Sequence, residues 1–181
     1  MVSPTPSELH NKLINNSLFQ TWKKSHANAY LSHFFCSITS TLTKKSAWEL
    51  GYYDPASNKI TIFIPLKADE FEIKPEDSIF KQDTTTIEPL LLEKIQISFE
   101  KSQEIFQINF PIQFPKQQLG DGFIILQCLN QKNVWNYTFI TKTIQFINLK
   151  INAITAELES IQTVDLVDKQ SDKLKLSKRN T

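Results

Sequence analysis

The feature that most constrains the fold is a period of two in the apolar side chains on both sides of a short turn. The turn is residues 54–58, in which Pro55 fixes one backbone angle while Asp54 and Asn58 can bond to their own backbone. The alternating apolar positions are Trp48, Leu50, Tyr52, Ile60, Ile62 and Ile64. Because successive side chains of a β-strand point to opposite faces, this pattern predicts a β-hairpin.

Further strands are predicted in the second half of the chain, where β-branched and aromatic side chains are dense. The three strand segments are residues 123–129, 134–140 and 143–151. Suitable turn residues follow the first and the third of these segments, at 130–133 and 152–156. Weaker strand signals lie at residues 157–167 and around Phe71, Ile73, Ile79 and Phe80.

Apolar residues recur with the spacing of a helix in three other places. The first stripe follows two prolines and a candidate N-cap, Ser7, and consists of Leu9, Leu13, Ile14, Leu18 and Trp22. The second stripe is bulky enough to pack on a sheet, and consists of Tyr30, Leu31, Phe34, Phe35 and Ile38. The third follows a candidate N-cap, Ser98, and consists of Phe99, Ser102, Ile105 and Phe106.

This order of elements predicts an α+β fold, in which an antiparallel sheet has helices packed on one face, in the order α-β-β(-β)-α-β-β-β(-β). Residues 1–86 form a helix plus hairpin half and residues 87–168 a helix plus strands half, and we expect the two to make one compact unit. Residues 169–181 form a basic tail. We expect this tail to be flexible and solvated, with contact to an acidic partner or nucleic acid as the alternative.

The two halves also resemble each other in sequence. Residues 48–64 can be aligned with residues 135–151 without a gap, which places Trp48 on Trp135 and Tyr52 on Phe139. Each segment follows a helical stripe. This predicts an internal duplication, although two unrelated aromatic hairpins would align about as well.

Several classes of protein are disfavoured by composition. The chain has only three glycines, Gly51, Gly120 and Gly122, so it lacks the glycine-rich loops that bind dinucleotides or nucleoside triphosphates. Its net charge of +1 gives no general attraction for nucleic acid, and the basic residues beside Trp22 and Trp48 are a weak signal for it. No apolar run approaches the length of a membrane span, and no signal peptide is recognisable, so a cytoplasmic protein is expected.

No catalytic or metal-binding constellation is evident in the sequence. His33 and Cys36 would lie on one face of the predicted second helix, but they are at best half of a zinc site. We expect no metal, no cofactor and no enzymatic activity. Cys36 and Cys128 are interpreted as buried free thiols, with a disulfide between them left open.

The second half resembles PepSY domains, in which a helix packs on a small antiparallel sheet. Residues 97–102 (ISFEKS) look like the opening of the family's helix, and residues 149–158 (LKINAITAEL) look like its terminal signature. Within that signature, Asn152 stands where the family favours Asp, and Ala156 where it favours Gly. The resemblance covers roughly residues 91–166. It implies an inhibitory or regulatory module, since family members often occur beside peptidases.

The function predicted from these observations is a non-catalytic binding or regulatory module that recognises a protein or peptide. The recognition surface is predicted to be either an edge strand or sheet aromatics, namely Tyr52, Tyr53 and Phe63. The alternative is a small apolar ligand held between the curved sheet and the helices, in a pocket lined by Phe34, Phe35, Ile62 and Trp135. The partner's identity and the oligomeric state remain open.

Overall fold

The computed structural model describes residues 4–74, 77–78 and 86–165 of the chain. Its helices are α1 (Pro6–Ile14), α2 (Ser17–Ser25) and α3 (Phe99–Gln113), and short 3₁₀ turns lie at Lys67–Asp69 and Leu92–Lys94. Its strands are β1 (Tyr30–Ile38), β2 (Glu49–Asp54), β3 (Lys59–Pro65), β4 (Phe71–Ile73), β5 (Asp77–Ser78), β6 (Leu119–Leu129), β7 (Lys132–Thr141), β8 (Gln145–Asn152) and β9 (Leu158–Asp165).

The strands form one antiparallel sheet that runs through both halves of the chain. The order across the sheet is β4-β3-β2-β1-β6-β7-β8-β9, and the short strand β5 pairs with β3 beside β4. Strands β1 to β4 and strands β6 to β9 are two meanders, which join where β1 pairs with β6 at the centre. The predicted α+β fold with an antiparallel sheet is therefore confirmed.

All three helices pack on the same face of this sheet. In the first half, the ring of Trp22 on α2 lies 5.7 Å from that of Tyr52 on β2. In the second half, the ring of Phe106 on α3 lies 4.7 Å from that of Tyr137 on β7. The helix-covered face is continuous across the centre of the sheet, because Phe34 of β1 lies opposite both Leu50 of β2 and Leu126 of β6. Burial of these apolar side chains between helices and sheet is the main stabilising contribution.

The N-terminal helical stripe is two helices rather than one. Helix α1 begins with a capping box between Thr5 and Glu8, so the predicted N-cap Ser7 lies inside the helix instead. The stripe is interrupted at Asn15 and Asn16, where the Asn16 side chain accepts a hydrogen bond from the backbone of Leu18 and caps α2. A short amide side chain competes well for backbone groups at such a position, which favours a new helix start over continuation.

The predicted second helix at Tyr30–Ile38 is wrong, because these residues form the central strand β1. Phe34, Cys36 and Ile38 are fully buried at alternate positions, whereas Phe35 between them faces the opposite side and contacts Phe123 of β6. Apolar residues on both faces of a strand produce a dense run that the spacing of a helix also fits. Pairing with β2 on one side and β6 on the other satisfies the backbone here.

The gapless alignment of the two halves fails in its second strand. Tyr52 and Phe139, which the alignment equates, both lie on the helix-covered face. Tyr52, however, pairs with Thr61, whereas Phe139 pairs with Ile147. The alignment equates Ile147 with Ile60 and not with Thr61. The hairpins therefore differ by one residue, and a shift of one residue exchanges the faces of a strand. Duplication itself stays a prediction.

Gly51 lies where two strands approach closely. The imidazole of His33 on β1 covers it, and a Cβ built on Gly51 would lie 2.1 Å from His33 Cε1. The pairing of β1 with β2 also changes register between Leu31 and His33. Glycine at this place thus makes room for a neighbouring side chain and needs no special backbone angle.

The turn between β8 and β9 is held by Asn152. Its Oδ1 accepts hydrogen bonds from the backbone of Ile154 (2.8 Å) and Thr155 (3.0 Å), and its Nδ2 donates to Glu159 (2.7 Å). An Asp at this position would accept the same two backbone bonds but could not donate the third. Ala156, in the same turn, has a left-handed backbone with φ of 68°.

Some sequence predictions fall on residues that the structure does not describe. The weak strand at Phe71 and Ile73 is present as β4, but its predicted continuation at Ile79 and Phe80 lies outside the described residues. The last strand is described as far as Asp165, and the basic tail 169–181 also lies outside the described part.

Candidate functional site

A cleft of about 230 Å³ lies at the boundary between the two halves, where the beginnings of α1 and α3 come together over the sheet. We call it the tryptophan cleft. Its apolar wall is formed by Trp48, Ile97, Phe99, Leu126 and Trp135, and its rim includes Thr5, Ser7, Lys44, Leu92, Gln96 and Glu100. The cleft therefore draws residues from the N-terminal segment, from the loops after β1 and before α3, and from strands β6 and β7.

Three aromatic rings form the floor of the tryptophan cleft. The centroid of the Trp48 ring lies 5.2 Å from that of Phe99 and 6.0 Å from that of Trp135, and Phe99 lies 5.9 Å from Trp135. All three side chains are at most 7% exposed, so only a small part of each ring is open to the cleft. Such a rigid aromatic floor suits a small apolar group.

The loop before α3 is fixed by hydrogen bonds to β7 and to the turn that follows β8. The indole Nε1 of Trp135 donates a hydrogen bond to the carbonyl of Ile97 (2.9 Å), and the backbone N–H groups of Gln96 and Ile97 donate to the carbonyl of Ala153. Ser98 then caps α3 through a bond from Lys101. These bonds satisfy polar groups around the aromatic floor and anchor the loop that forms one wall of the cleft.

Lys44 provides a positive charge at the rim. Its Nζ lies 5.7 Å from the centroid of the Trp48 ring and 5.5 Å from that of Phe99, which is within the range of a cation–π interaction. The ammonium group is thereby held above two of the three floor rings.

The three residues predicted to contact a partner through the sheet are buried, and this prediction is wrong in its placement. Tyr52, Tyr53 and Phe63 are at most 6% exposed. Tyr52 and Phe63 pack against Phe19 and Trp22 beneath the N-terminal helices, and they belong to the core.

Tyr53 lies on the opposite face of the sheet, and it is buried by other means. Its ring packs against that of Tyr30, and its hydroxyl donates to Asn58. The Tyr30 hydroxyl in turn donates to the carbonyl of Ile87, in the segment that links the two halves. The alternation of residues along β2 does not show that this linking segment lies near Tyr53, because the contact is distant in the chain.

Tyr52 also has a polar partner within the core. Its hydroxyl lies 2.7 Å from Nε2 of His10 on α1. Burial raises the pKa of the Tyr52 phenol and lowers the pKa of the His10 imidazole, so both groups favour their neutral forms. The pair joins α1 to the sheet, and it lies apart from the residues that line the tryptophan cleft.

The four residues of the predicted ligand pocket do not come together. Trp135 lines the tryptophan cleft, and Phe34 lies buried close to Trp48, with 6.5 Å between the ring centroids. Phe35 and Ile62 face the other side of the sheet, because each lies one position from a residue on the helix-covered face. A cleft between helices and sheet is thus present, but Trp48, Phe99 and Lys44 were not predicted to line it.

The predicted spacing of His33 and Cys36 on one helix face does not exist, since three positions along a strand place two side chains on opposite faces. Burial lowers the pKa of His33 to about 4 and raises the pKa of the Cys36 thiol. Both cysteines are free, and burial together with Glu88 raises the pKa of Cys128 to about 11. Within the described ranges, no three His, Cys, Asp or Glu side chains group as metal ligands would.

The comparisons with known proteins identify no family. No family model matches the chain, and no curated protein does. Among solved structures it is similar to a putative lipoprotein from Clostridium difficile 630, with 9% sequence identity and a TM-score of 0.48 over 81% of this chain and 90% of that one. At this level the similarity carries no argument about function. No helix in the described part of the chain is long and apolar enough to cross a membrane.

Proposed function

We propose that this protein is a non-catalytic binding module whose tryptophan cleft takes a small apolar group, about the size of one ring. The supporting observation is the cleft itself, a space of about 230 Å³ above three buried aromatic side chains. A dry cavity of about 150 Å³ is enough for benzene, so one ring with a short substituent fits. The proposal keeps the predicted alternative of a small apolar ligand, but of the four residues predicted to line its pocket only Trp135 lines the tryptophan cleft.

The size of the cleft sets the affinity to be expected. The three floor rings are at most 7% exposed, so a ligand buries little of their area. The most efficient small ligands gain about 1.5 kcal/mol per non-hydrogen atom, and drug-sized ligands gain only about 0.3 kcal/mol per atom. We therefore expect a single-ring probe to bind with a dissociation constant on the order of 0.1–1 mM.

The test uses the neutral probe 3-phenylpropionamide and the indole N–H signals of the three tryptophans in NMR spectra. Trp48 and Trp135 border the cleft, whereas Trp22 packs against Phe19, Tyr52 and Phe63 and serves as an internal reference. We expect saturable shifts of the first two signals and no shift of the third. Equal shifts of all three, or none, contradict the proposal.

A blocking variant makes the test specific. Ser7 lies on the rim in the first turn of α1 and is exposed, so Ser7→Phe fills the mouth without disturbing the core. Ser17→Phe makes the same change at an exposed position in the first turn of α2, away from the cleft. We expect Ser7→Phe to abolish the probe-induced shifts and Ser17→Phe to leave them. Binding that survives Ser7→Phe would place the ligand elsewhere.

A second candidate function is recognition of a peptide by strand addition, which the length of β9 favours. This strand has eight residues without proline, and its outer edge pairs with nothing in the described part of the chain. Such an edge can accept an added strand through backbone hydrogen bonds. Strand addition at β9 is also the way in which we propose that a regulatory module of the PepSY kind, implied by residues 97–102 and 149–158, would bind a peptide.

Proline substitutions test the edge. Neighbouring residues of a strand direct their N–H groups to opposite sides, so one of Thr163 and Val164 has an outward N–H. Thr163→Pro and Val164→Pro are compared by thermal unfolding, and the less destabilised variant carries its proline on the outward side. We expect this variant to lose a stoichiometric protein partner that the wild type recovers in an affinity pull-down. If the wild type and this variant recover the same partner equally well, strand addition is contradicted.

A further inference from the structure

The position of Lys44 bears on the kind of ligand that the tryptophan cleft selects. Its ammonium lies over the rings of Trp48 and Phe99, at 5.7 and 5.5 Å from their centroids, and so faces any group seated on the floor. The same side chain is half-buried, which reduces the screening of its charge by water.

Neighbouring charges are largely engaged with each other. Lys45 pairs with Asp121 and Lys101 pairs with Glu104, each with 2.6–2.7 Å between nitrogen and oxygen. The ion pairs formed by the described residues do not include Lys44. Glu100 also borders the cleft, where it is exposed. Its negatively charged carboxylate repels an anion bound in the cleft.

We infer that the tryptophan cleft is selective for a carboxylate joined by a short linker to a flat apolar ring. The inference rests on the proposed binding function and adds the chemical class of the ligand. The ring occupies the space above the floor, and the carboxylate reaches the Lys44 ammonium at the rim and accepts its hydrogen bond. A charge-assisted bond at a partly exposed site strengthens binding by about 3- to 10-fold.

Three probes of equal length separate the inference from the function on which it rests. They are 3-phenylpropionate, 3-phenylpropionamide and 3-phenylpropylamine, titrated against the full chain at low salt and followed by the Trp48 and Trp135 indole signals. We expect the carboxylate to bind about 3- to 10-fold more tightly than the amide, and the amine more weakly than the amide. Added salt should reduce the preference for the carboxylate.

Matched variants assign the preference to one side chain. Lys44→Gln should bring the affinity for the carboxylate down to that for the amide, and Lys45→Gln should leave both affinities unchanged. Glu100→Gln should tighten binding of the carboxylate. Equal affinities for carboxylate and amide, or tighter binding of the amine, would overturn the inference and leave the binding function standing. If no probe moves the two indole signals, both proposals fail.

Discussion

Ala156 offers a sharp test of how this chain builds its last turn with so few glycines. Its backbone lies in the left-handed region, with φ of 68°, between β8 and β9. A side chain with a Cβ pays about 1–2 kcal/mol in that region. Glycine removes this cost, but it makes the unfolded chain more flexible by roughly 0.5–1 kcal/mol. The substitution Ala156→Gly should therefore stabilise the protein by about 0.5–1 kcal/mol.

The measurement is urea unfolding at equilibrium, supported by thermal unfolding, in which the midpoint should rise by about 1–4 °C. Ala47→Gly is the matched control, because Ala47 is exposed and does not have a positive φ. That variant should lose roughly 0.5–1 kcal/mol through the unfolded state alone. If both variants lose stability to the same extent, the left-handed turn does not strain Ala156, and the reasoning is refuted.

Three further predictions concern buried groups. Ser102→Ala leaves the buried Tyr137 hydroxyl without its 2.6 Å partner and should cost about 1–3 kcal/mol, whereas adding Tyr137→Phe should recover much of this loss in urea unfolding. Lowering the pH from 6.5 to 4 should destabilise the fold by up to about 3 kcal/mol, because His33 is protonated in the unfolded chain over this range but stays neutral in the folded protein. His33→Gln should reduce this dependence of stability on pH. Gly51→Ala should shift the His33 ring and lower the melting temperature, since its Cβ would overlap the imidazole.

The hairpin of β2 and β3 could be predicted from the sequence because all its information is local. The alternation from Trp48 to Tyr52 sets the period, and the Asp-Pro turn sets the reversal. The helix at Ser98 was predicted for the same reason, since its cap and its buried face lie within one short segment. A local pattern determines a local element when its apolar positions fit one period and turn or cap residues mark its ends.

The central strand β1 could not be distinguished from a helix by such a pattern. Phe34 and Phe35 face opposite sides of the sheet, and both sides have apolar neighbours there. A strand that is apolar on both faces loses its period of two and gains accidental helical spacing. Burial of Tyr52 and Tyr53 depended likewise on what covers each face, which strand patterning does not specify.

The sequence by itself determined the α+β class and the antiparallel hairpins, whereas the left-handed backbone of Ala156 is a property of the folded turn. Only the tertiary structure decided where the candidate site lies. Trp48 and Trp135 are distant in the chain, and they meet because β1 and β6 pair at the centre of one sheet. Such a pairing is a non-local contact whose free energy comes from burying both halves together, so no short segment of sequence encodes it.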